Sequence, residues 1–356
     1  MSDTLGNKLK MTIFGASHAP EIGVILSNLP KGMKVDYDFI NFQLAKRRPN
    51  GKESTARIED DEFEIQSGVT NGYTNGDDLK LVIKNKKQDS SAYSNIIYRP
   101  GHADYTQDIK YHGQADLRGG GHLSGRMTAP IVASAALIIQ YLNEKGIEIG
   151  SRIKSIHGIK DDEIIVPTKE MIKKFNSSPF PILNDEKEIE MKEVIKNAKE
   201  NLDSVGGEVE SYILSLPVGL GEPFFDSVES CLSHAIFSIP AVKGILFGLG
   251  EKFATTYGSE ANDAFRNIDG KIITLTNNNA GINGGISNGM PIVFKTIIKA
   301  TPSIAKKQLS INQNKENVEL EIKGRHDPCI VQRACVVIDS LIAFTILDLM
   351  LQQEDQ

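Results

Sequence analysis

The segment from Tyr98 to Thr106 combines the three side-chain types that bind an anion and move a proton. It reads YRPGHADYT and sets Arg99, His102 and Asp104 around a Pro-Gly turn. An arginine holds an oxyanion, while an imidazole and a carboxylate exchange protons near neutral pH. The same pattern also fits a capped turn that leads into a helix, with Asp104 accepting from backbone donors.

A glycine-rich turn, RGGGHLSGR at 118–126, leads directly into a strongly apolar helical pattern. Glycine lets a backbone approach a ligand closely, and the N–H groups at a helix N-terminus attract phosphate. The spacing matches neither a Walker loop nor the GxGxxG dinucleotide fingerprint. The turn therefore predicts an anion site and leaves the anion unidentified.

Cations and glycines recur in other loop-like segments. KRR occupies 46–48, KATPS occupies 299–303, and NNNAGINGGISNG occupies 277–289. A basic triplet is commonly solvated surface, and a Gly/Asn run fits a surface turn as well as a backbone-lined ligand wall. Several arginines in such settings nevertheless favour a small ligand with more than one negative charge.

The segment GRHDPC at 324–329 places three polar side chains directly before an apolar helix. Its Asp327 fits either a helix cap or a general base. Four of the seven histidines stand in segments rich in Gly, Pro, Arg or Ser, where an imidazole can reach a ligand. They are His18, His102, His122 and His326.

The composition of the 356 residues excludes several classes of protein. Hydrophobic residues at 40% and charged residues at 24% are typical of a soluble globular chain. A formal net charge of -6 argues against a general electrostatic grip on nucleic acid. Three cysteines form neither an even disulfide set nor a CxxC metal pair, which favours a reduced, cytoplasmic protein. The N-terminus lacks the apolar run of a signal peptide, and we expect no apolar stretch elsewhere to reach a membrane-spanning length.

Short apolar runs bounded by glycine-rich segments predict strands, and longer patterns predict helices. Strands are predicted at 11–15, 23–26, 79–83, 213–216, 244–249, 272–275 and 292–298. Buried helices are predicted at 127–145 and 330–351, and an exposed charged helix at 186–201. The lysine-rich stretch around 160–201 is predicted to be a solvated helical excursion. No long linker divides the chain, so we expect 1–356 to form a single mixed α/β domain with helices enclosed by sheet.

Taken in order, these segments resemble the chorismate synthase family over nearly the full length, from GASH at 15–18 to GRHDP at 324–328. RPGHADYT and GRHDPC are the most specific of the motifs. The resemblance implies an α+β sandwich in which helices pack between antiparallel β-sheets, and a homotetramer. It also implies a lyase that uses reduced FMN to eliminate phosphate from 5-enolpyruvylshikimate 3-phosphate, giving chorismate in the shikimate pathway of aromatic amino-acid biosynthesis.

The resemblance further implies roles for individual residues. His18 would protonate the departing phosphate, His102 would balance the charge of the reduced flavin, and Asp327 would work through flavin N5 to remove a proton. The implied substrate ligands are Arg47, Arg48, Arg99, Arg126 and Arg325. The implied flavin ligands are His122, Leu123, Ser124, Ala241, Gly284, Lys299, Ala300, Thr301, Pro302, Ser303 and again Arg325. No metal is implied.

The chain departs from the family pattern in three segments. Many members have glutamate where this chain has Ala16, RSSAR where it has HLSGR at 122–126, and arginine where it has Glu53. Arg57 stands near Glu53 and could replace the missing guanidinium. These departures bear on the rate and on nucleotide contacts, not on the expected fold.

Two other functions use the same features. A non-catalytic protein that binds FMN or a phosphorylated metabolite would retain the scaffold, and a flavin oxidoreductase would oxidise its substrate. Retention of His18, His102 and Asp327 favours the lyase. Relatives reduce their flavin either with NADPH or through a separate flavin reductase. We expect the second here, because the sequence contains no separate nucleotide-binding segment.

Overall fold

The computed structural model describes residues 3–48, 61–85, 96–322 and 327–354. Its eight α-helices within these ranges are α1 (Tyr37–Arg47), α2 (Asp104–Lys110), α3 (Thr128–Glu144), α4 (Lys169–Ser177), α5 (Asp185–Glu200), α6 (Val228–Phe237), α7 (Gly258–Ala261) and α8 (Val331–Gln353). Its strands are β1 (Thr4–Leu5), β2 (Lys10–Gly15), β3 (Glu21–Ser27), β4 (Phe63–Ser67), β5 (Val69–Thr70), β6 (Tyr73–Thr74), β7 (Leu79–Lys84), β8 (Glu148–Ile156), β9 (Ile159–Lys160), β10 (Gly207–Leu214), β11 (Val242–Phe247), β12 (Phe265–Ile268), β13 (Lys271–Thr274), β14 (Ile282–Asn283), β15 (Ile286–Ser287), β16 (Ile292–Ile298), β17 (Gln308–Ile311) and β18 (Asn317–Leu320).

Two five-stranded sheets form the outer layers of the fold. The first has the order β1-β2-β3-β7-β4, and the second has the order β11-β16-β10-β8-β9. Every neighbouring pair in both sheets is antiparallel. Along β16, buried and half-buried residues alternate, as expected for a strand with one face on the core.

Helices α3 and α8 lie between the two sheets. Helix α3 contacts β3 and β7 of the first sheet and β8 of the second, while α8 contacts β8 and β10. Both helices are apolar on nearly every side, so exposure of any face to water would cost free energy. The predicted helices at 127–145 and 330–351 and the predicted α+β sandwich are confirmed.

Strand β8 was not predicted from the sequence, because Arg152 and Lys154 make it look exposed. Arg152 is fully buried instead, and donates to Asp161 at 2.5 Å and to Glu210 at 2.7 Å. Asp161 also accepts from the backbone N–H of Leu183 at 2.9 Å, so it ties the start of the charged excursion to the second sheet. The prediction that this excursion is solvated is wrong at Asp161 and at the inward face of α5.

Two helical segments are long and apolar enough to cross a membrane by length and composition alone. They are 118–144, which includes α3, and α8, so the expectation that no segment reaches that length was wrong. In their most apolar windows 78% and 89% of the residues are buried inside the protein, which is typical of core helices.

The N-terminal strands are fixed to the end of α8 by one carboxylate. Asp348 accepts the backbone N–H groups of Lys8 and Leu9 on Oδ1, each at 2.8 Å, and that of Asn7 on Oδ2 at 2.9 Å. Leu9 is fully buried, so water cannot replace the carboxylate at its N–H group.

We expect Asp348→Asn to lower the free energy of unfolding by about 2 kcal/mol. The asparagine amide has one oxygen and one NH₂ group, so the backbone N–H groups that face the NH₂ group lose their acceptor, and a buried unpaired donor costs roughly 1–3 kcal/mol. Urea denaturation measures the change. Glu354→Gln is the matched control, since Glu354 is exposed just beyond the same helix. Equal stability of the two variants would show that the hydrogen bonds to Asp348 do not stabilise the protein.

Candidate active site

A cavity of about 1170 Å³ opens where α1 ends, α3 begins and α8 begins. Pockets for one small ligand usually measure about 300–1,000 Å³, so this cavity has room for two ligands side by side. The predicted site residues that line it are Arg47, Arg48, His102, His122, Leu123, Ser124, Arg126, Ala241, Lys299, Thr301, Pro302, Ser303 and Asp327.

The remaining predicted site residues lie elsewhere. His18, Arg99 and Ala300 are not among the described residues that line the cavity, although each neighbours one that is. Gly284 lies at the turn between β14 and β15, with open space around its backbone, and its assignment as a flavin ligand stays a prediction. Arg325, like Glu53 and Arg57, lies outside the described residues.

The glycine turn holds His18 against the cavity wall. Gly119, Gly120 and Gly121 have φ angles of 58°, 87° and 56°, a region that residues with a Cβ adopt at a cost. A Cβ on Gly119 would lie 2.4 Å from Cε1 of His18. The Nδ1–H of His18 donates to the carbonyl of Arg118 at 3.0 Å, because a carbonyl oxygen only accepts. This bond fixes the ring and leaves proton exchange to Nε2.

An arginine and a carboxylate orient His102. Arg99 donates to both oxygens of Asp104, each at 2.7 Å, and Nδ1 of His102 lies 2.7 Å from Asp104 Oδ1. Burial opposes the ionisation of Asp104, but the hydrogen bonds from Arg99 and His102 outweigh it and hold the pKa of this carboxyl well below its usual range. Asp104 therefore works as a permanent anion that orients the imidazole, rather than as a helix cap.

His122 directly follows the three glycines of the turn. Its Nδ1 lies 2.7 Å from the carbonyl of Gly15, and its Nε2 lies 3.3 Å from a carboxylate oxygen of Asp3. Both neighbours are acceptors, so both contacts are hydrogen bonds only when both ring nitrogens carry a proton. His122 thereby links the glycine turn to Gly15 at the end of β2 and to Asp3.

A buried carboxylate joins two of the predicted substrate arginines. Asp61 is fully buried and accepts from Arg126 on one oxygen and from Arg47 on the other, the latter at 3.2 Å. Arg47 also donates to Thr128 Oγ1 at 2.9 Å and to the carbonyl of Gly125 at 3.2 Å. Much of the hydrogen-bonding capacity of Arg47 is therefore engaged by the protein itself.

Two further cations line the cavity with capacity for an anion. Nε of Arg48 is buried and has no hydrogen-bond partner among the described residues. Lys299 donates to the carbonyl of Gly101 at 2.6 Å. Burial lowers the pKa of Lys299, and the nearby charge of Lys243 lowers it further. An anion between these lysines would remove their repulsion.

Asp327 is the carboxylate at the start of α8. Its Oδ2 accepts from Arg333 Nη1 at 2.6 Å, while its buried Oδ1 has no partner within the described ranges. Burial raises the pKa of Asp327, and the charge and hydrogen bond of Arg333 act in the opposite direction. A carboxylate with one oxygen held and the other unpaired is arranged to accept a proton from a ligand.

Sequence reasoning missed three residues of this site: Asp3, Asp61 and Arg333. Each acts through a partner that is distant along the chain or that the motifs do not include, such as Arg126 for Asp61. The only signal for Arg333 was its position on the first turns of a helix that follows the GRHDPC motif.

Comparisons with known proteins agree on one family. A family model described as chorismate synthase matches residues 9–351. A chorismate synthase from Korarchaeum cryptofilum is 41% identical over 350 residues, which cover 97% of this chain and 96% of that protein. One from Lachnoclostridium phytofermentans is 43% identical over 354 residues, covering 98% and 95%. A crystal structure of a chorismate synthase aligns with a TM-score of 0.77 at 28% identity, covering 98% of this chain and 93% of that one.

We expect Gly119→Ala to destabilise the protein more than Gly113→Ala does. Both glycines have positive φ, 58° and 75°, so both substitutions carry a backbone cost of roughly 1 kcal/mol. Only the methyl group at 119 collides with a side chain, since no atom lies within 4 Å of a Cβ at Gly113. Denaturant unfolding of both variants measures the difference, and equal losses would show that the turn does not press on His18.

Proposed function

The chain belongs to the chorismate synthase family, and we propose that it works with reduced FMN bound beside the substrate in this cavity. It has that family's activity, which is the elimination of phosphate from 5-enolpyruvylshikimate 3-phosphate to give chorismate. The observation that carries the proposal is the meeting of His102, Asp327 and several cations in one cavity with room for two ligands. Reduced FMN would supply electron density transiently to a reaction without net redox change.

The residues present fit a flavin phosphate and a polar chain. Gly119 of the glycine turn, His122, Lys299, Thr301 and Ser303 all line the cavity. Backbone N–H groups, a cation and hydroxyls are the donors that a phosphate and a ribityl chain require. We therefore assign flavin binding to these segments, with Leu123, Ser124, Ala241 and Pro302 shaping the wall and Ala300 connecting two of the lining residues.

His18 is proposed as the acid for the departing phosphate. The bond of its Nδ1–H to Arg118 stays with the protein, so the proton that leaves is the one at Nε2. His102 is proposed to place positive charge against the ring of the cofactor. Its Nδ1 lies 2.7 Å from Asp104 Oδ1, so the carboxylate fixes the orientation of the ring.

Asp327 is proposed as the base for the proton lost from the substrate. Its unpaired Oδ1 is the atom that would receive this proton, while Arg333 holds Oδ2. Arg48 offers a donor to the substrate anions. Arg47 and Arg126 add positive potential while Asp61 holds them in place, and Arg99 acts through Asp104 and His102.

We further propose a single-domain homotetramer in the cytoplasm, supplied with reduced flavin by a separate reductase rather than by NADPH. Large apolar side chains are exposed at several points between 218 and 275, notably Phe224, Phe225, Phe265 and Ile272. Exposed aromatic and aliphatic side chains in such number are typical of a surface that another subunit covers.

The test of the cofactor is an anaerobic assay with purified protein, chemically reduced FMN and 5-enolpyruvylshikimate 3-phosphate, following chorismate and phosphate. We expect equal amounts of both products with reduced FMN and none with oxidised FMN. Turnover with NADPH and oxidised FMN would assign the reductase activity to this chain. Oxidation of the substrate would favour an oxidoreductase, and flavin binding without product would favour a non-catalytic binding protein.

We expect His18→Ala and Asp327→Asn each to lower kcat by roughly 10²–10⁴-fold, the range for loss of a general acid or base. Binding of FMN, measured by its fluorescence, should change little, because neither side chain is proposed to hold the phosphate. Near-normal turnover in either variant would remove that residue from the mechanism.

We expect the double substitution Phe225→Asp and Ile272→Asp to reduce the oligomer to a smaller species, because carboxylates in an apolar interface are costly to desolvate. Size-exclusion chromatography with light scattering measures the mass. Ile189→Asp is the control, since Ile189 is also exposed but lies on the charged helix α5. An unchanged tetramer, or a monomeric parent protein, would contradict the proposed interface.

A further inference from the structure

We propose that Arg333 is a positioning residue of the reaction, which ties the base Asp327 to the end of helix α1 and leaves one oxygen of the carboxylate available. The inference rests on the proposed role of Asp327. It concerns a side chain outside the motifs that identify the family, and it follows from two hydrogen bonds of one guanidinium.

The first bond fixes the carboxylate. Arg333 Nη1 donates to Asp327 Oδ2 at 2.6 Å, and the two side chains are 22% and 8% exposed. A charge-assisted bond this short and this sheltered strongly restricts rotation of the carboxylate. Because the guanidinium occupies Oδ2, the oxygen left for proton transfer is Oδ1, which has no hydrogen-bond partner in the part of the chain that the structure describes.

The second bond fixes the basic segment. Arg333 Nε donates to the carbonyl of Arg47 at 2.7 Å, and Arg47 is the last residue of α1. The final carbonyls of a helix lack partners within the helix and carry partial negative charge, so a cation is favoured there. Arg333 thereby sets the distance between Asp327 and the helix end that carries the cavity cations Arg47 and Arg48.

A guanidinium suits this task better than an ammonium group. Its donors lie in one rigid plane, so Nε and Nη1 can hold two acceptors in different directions at the same time. A lysine at the same place would retain the charge but would present a single donor atom on a flexible chain. Charge and geometry can therefore be separated by comparing Arg333→Lys with Arg333→Gln.

The charge of Arg333 also affects when Asp327 is ionised. Burial raises the pKa of Asp327, and Arg333 offsets that rise by its charge and its hydrogen bond. Lys199 near the end of α5 acts in the same direction more weakly, and Arg47, Arg48 and Lys299 line the same cavity. Removal of Arg333 should raise the pKa of Asp327 further. A base acts only when ionised, so the acid limb of the activity profile would then lie at a higher pH.

The experiment measures kcat and kcat/KM against pH for the full-length protein, with saturating reduced FMN under anaerobic conditions. We expect Arg333→Gln to lower kcat at pH 7 by roughly 10–100-fold and to move the acid limb to higher pH by about one unit, with partial recovery in alkaline buffer. Arg333→Lys should keep the acid limb near its original place while kcat falls. Lys192→Gln, which removes an exposed cation on α5, should change neither quantity.

Two comparisons separate this inference from the proposed function. The double variant Asp327→Asn with Arg333→Gln should be no slower than Asp327→Asn alone, because Arg333 acts through Asp327. A slow Arg333→Gln enzyme with an unmoved acid limb, or an additional loss in the double variant, would overturn the positioning role alone. Near-normal turnover of Asp327→Asn would instead overturn the assignment of the base. If Arg333→Gln does not fold, an unchanged kcat for Arg333→Lys overturns the inference.

Discussion

Helix α8 is apolar on nearly all of its sides, and this property determines the layer order of the protein. A helix of 23 residues with no polar face must be covered by protein in every direction. The second sheet covers one side of it, and α3, α1 and α6 cover others. Helix α3 has the same property and contacts both sheets. Two sheets around a helical layer are therefore the arrangement that buries both helices.

This constraint also determines where charge can be placed. Asp339 is completely buried in the middle of α8, where Ser151 donates to it at 2.6 Å, and burial raises its pKa to about 6. The nearby Lys46 is half-buried, and desolvation lowers its pKa. Charged groups in this layer are held near partners, as the cost of desolvation requires.

The sequence was most informative where local pattern and final environment agree. Helices α3 and α8 were predicted closely because an all-round apolar pattern has one outcome in a globular protein. Strand β8 was missed because Arg152 and Lys154 are buried only by partners distant along the chain, such as Glu210. The motifs that contain His102 and Asp327 stand out in the sequence for the same local reason, and both residues line the cavity. Asp61 and Arg333 were not predicted as site residues, because only the folded structure shows the hydrogen bonds they make with other residues of the cavity.

The cavity gathers cations, and their mutual repulsion must be balanced before any substrate arrives. Asp61 faces both Arg47 and Arg126, and Asp104 faces both Arg99 and His102. Asp61 holds its two guanidinium groups in place without neutralising both, since one anion is shared by two cations. The positive charge that remains favours the binding of an anion in the cavity. Arrangement of donors before the ligand binds avoids reorganisation during the reaction, which is how such sites stabilise developing charge.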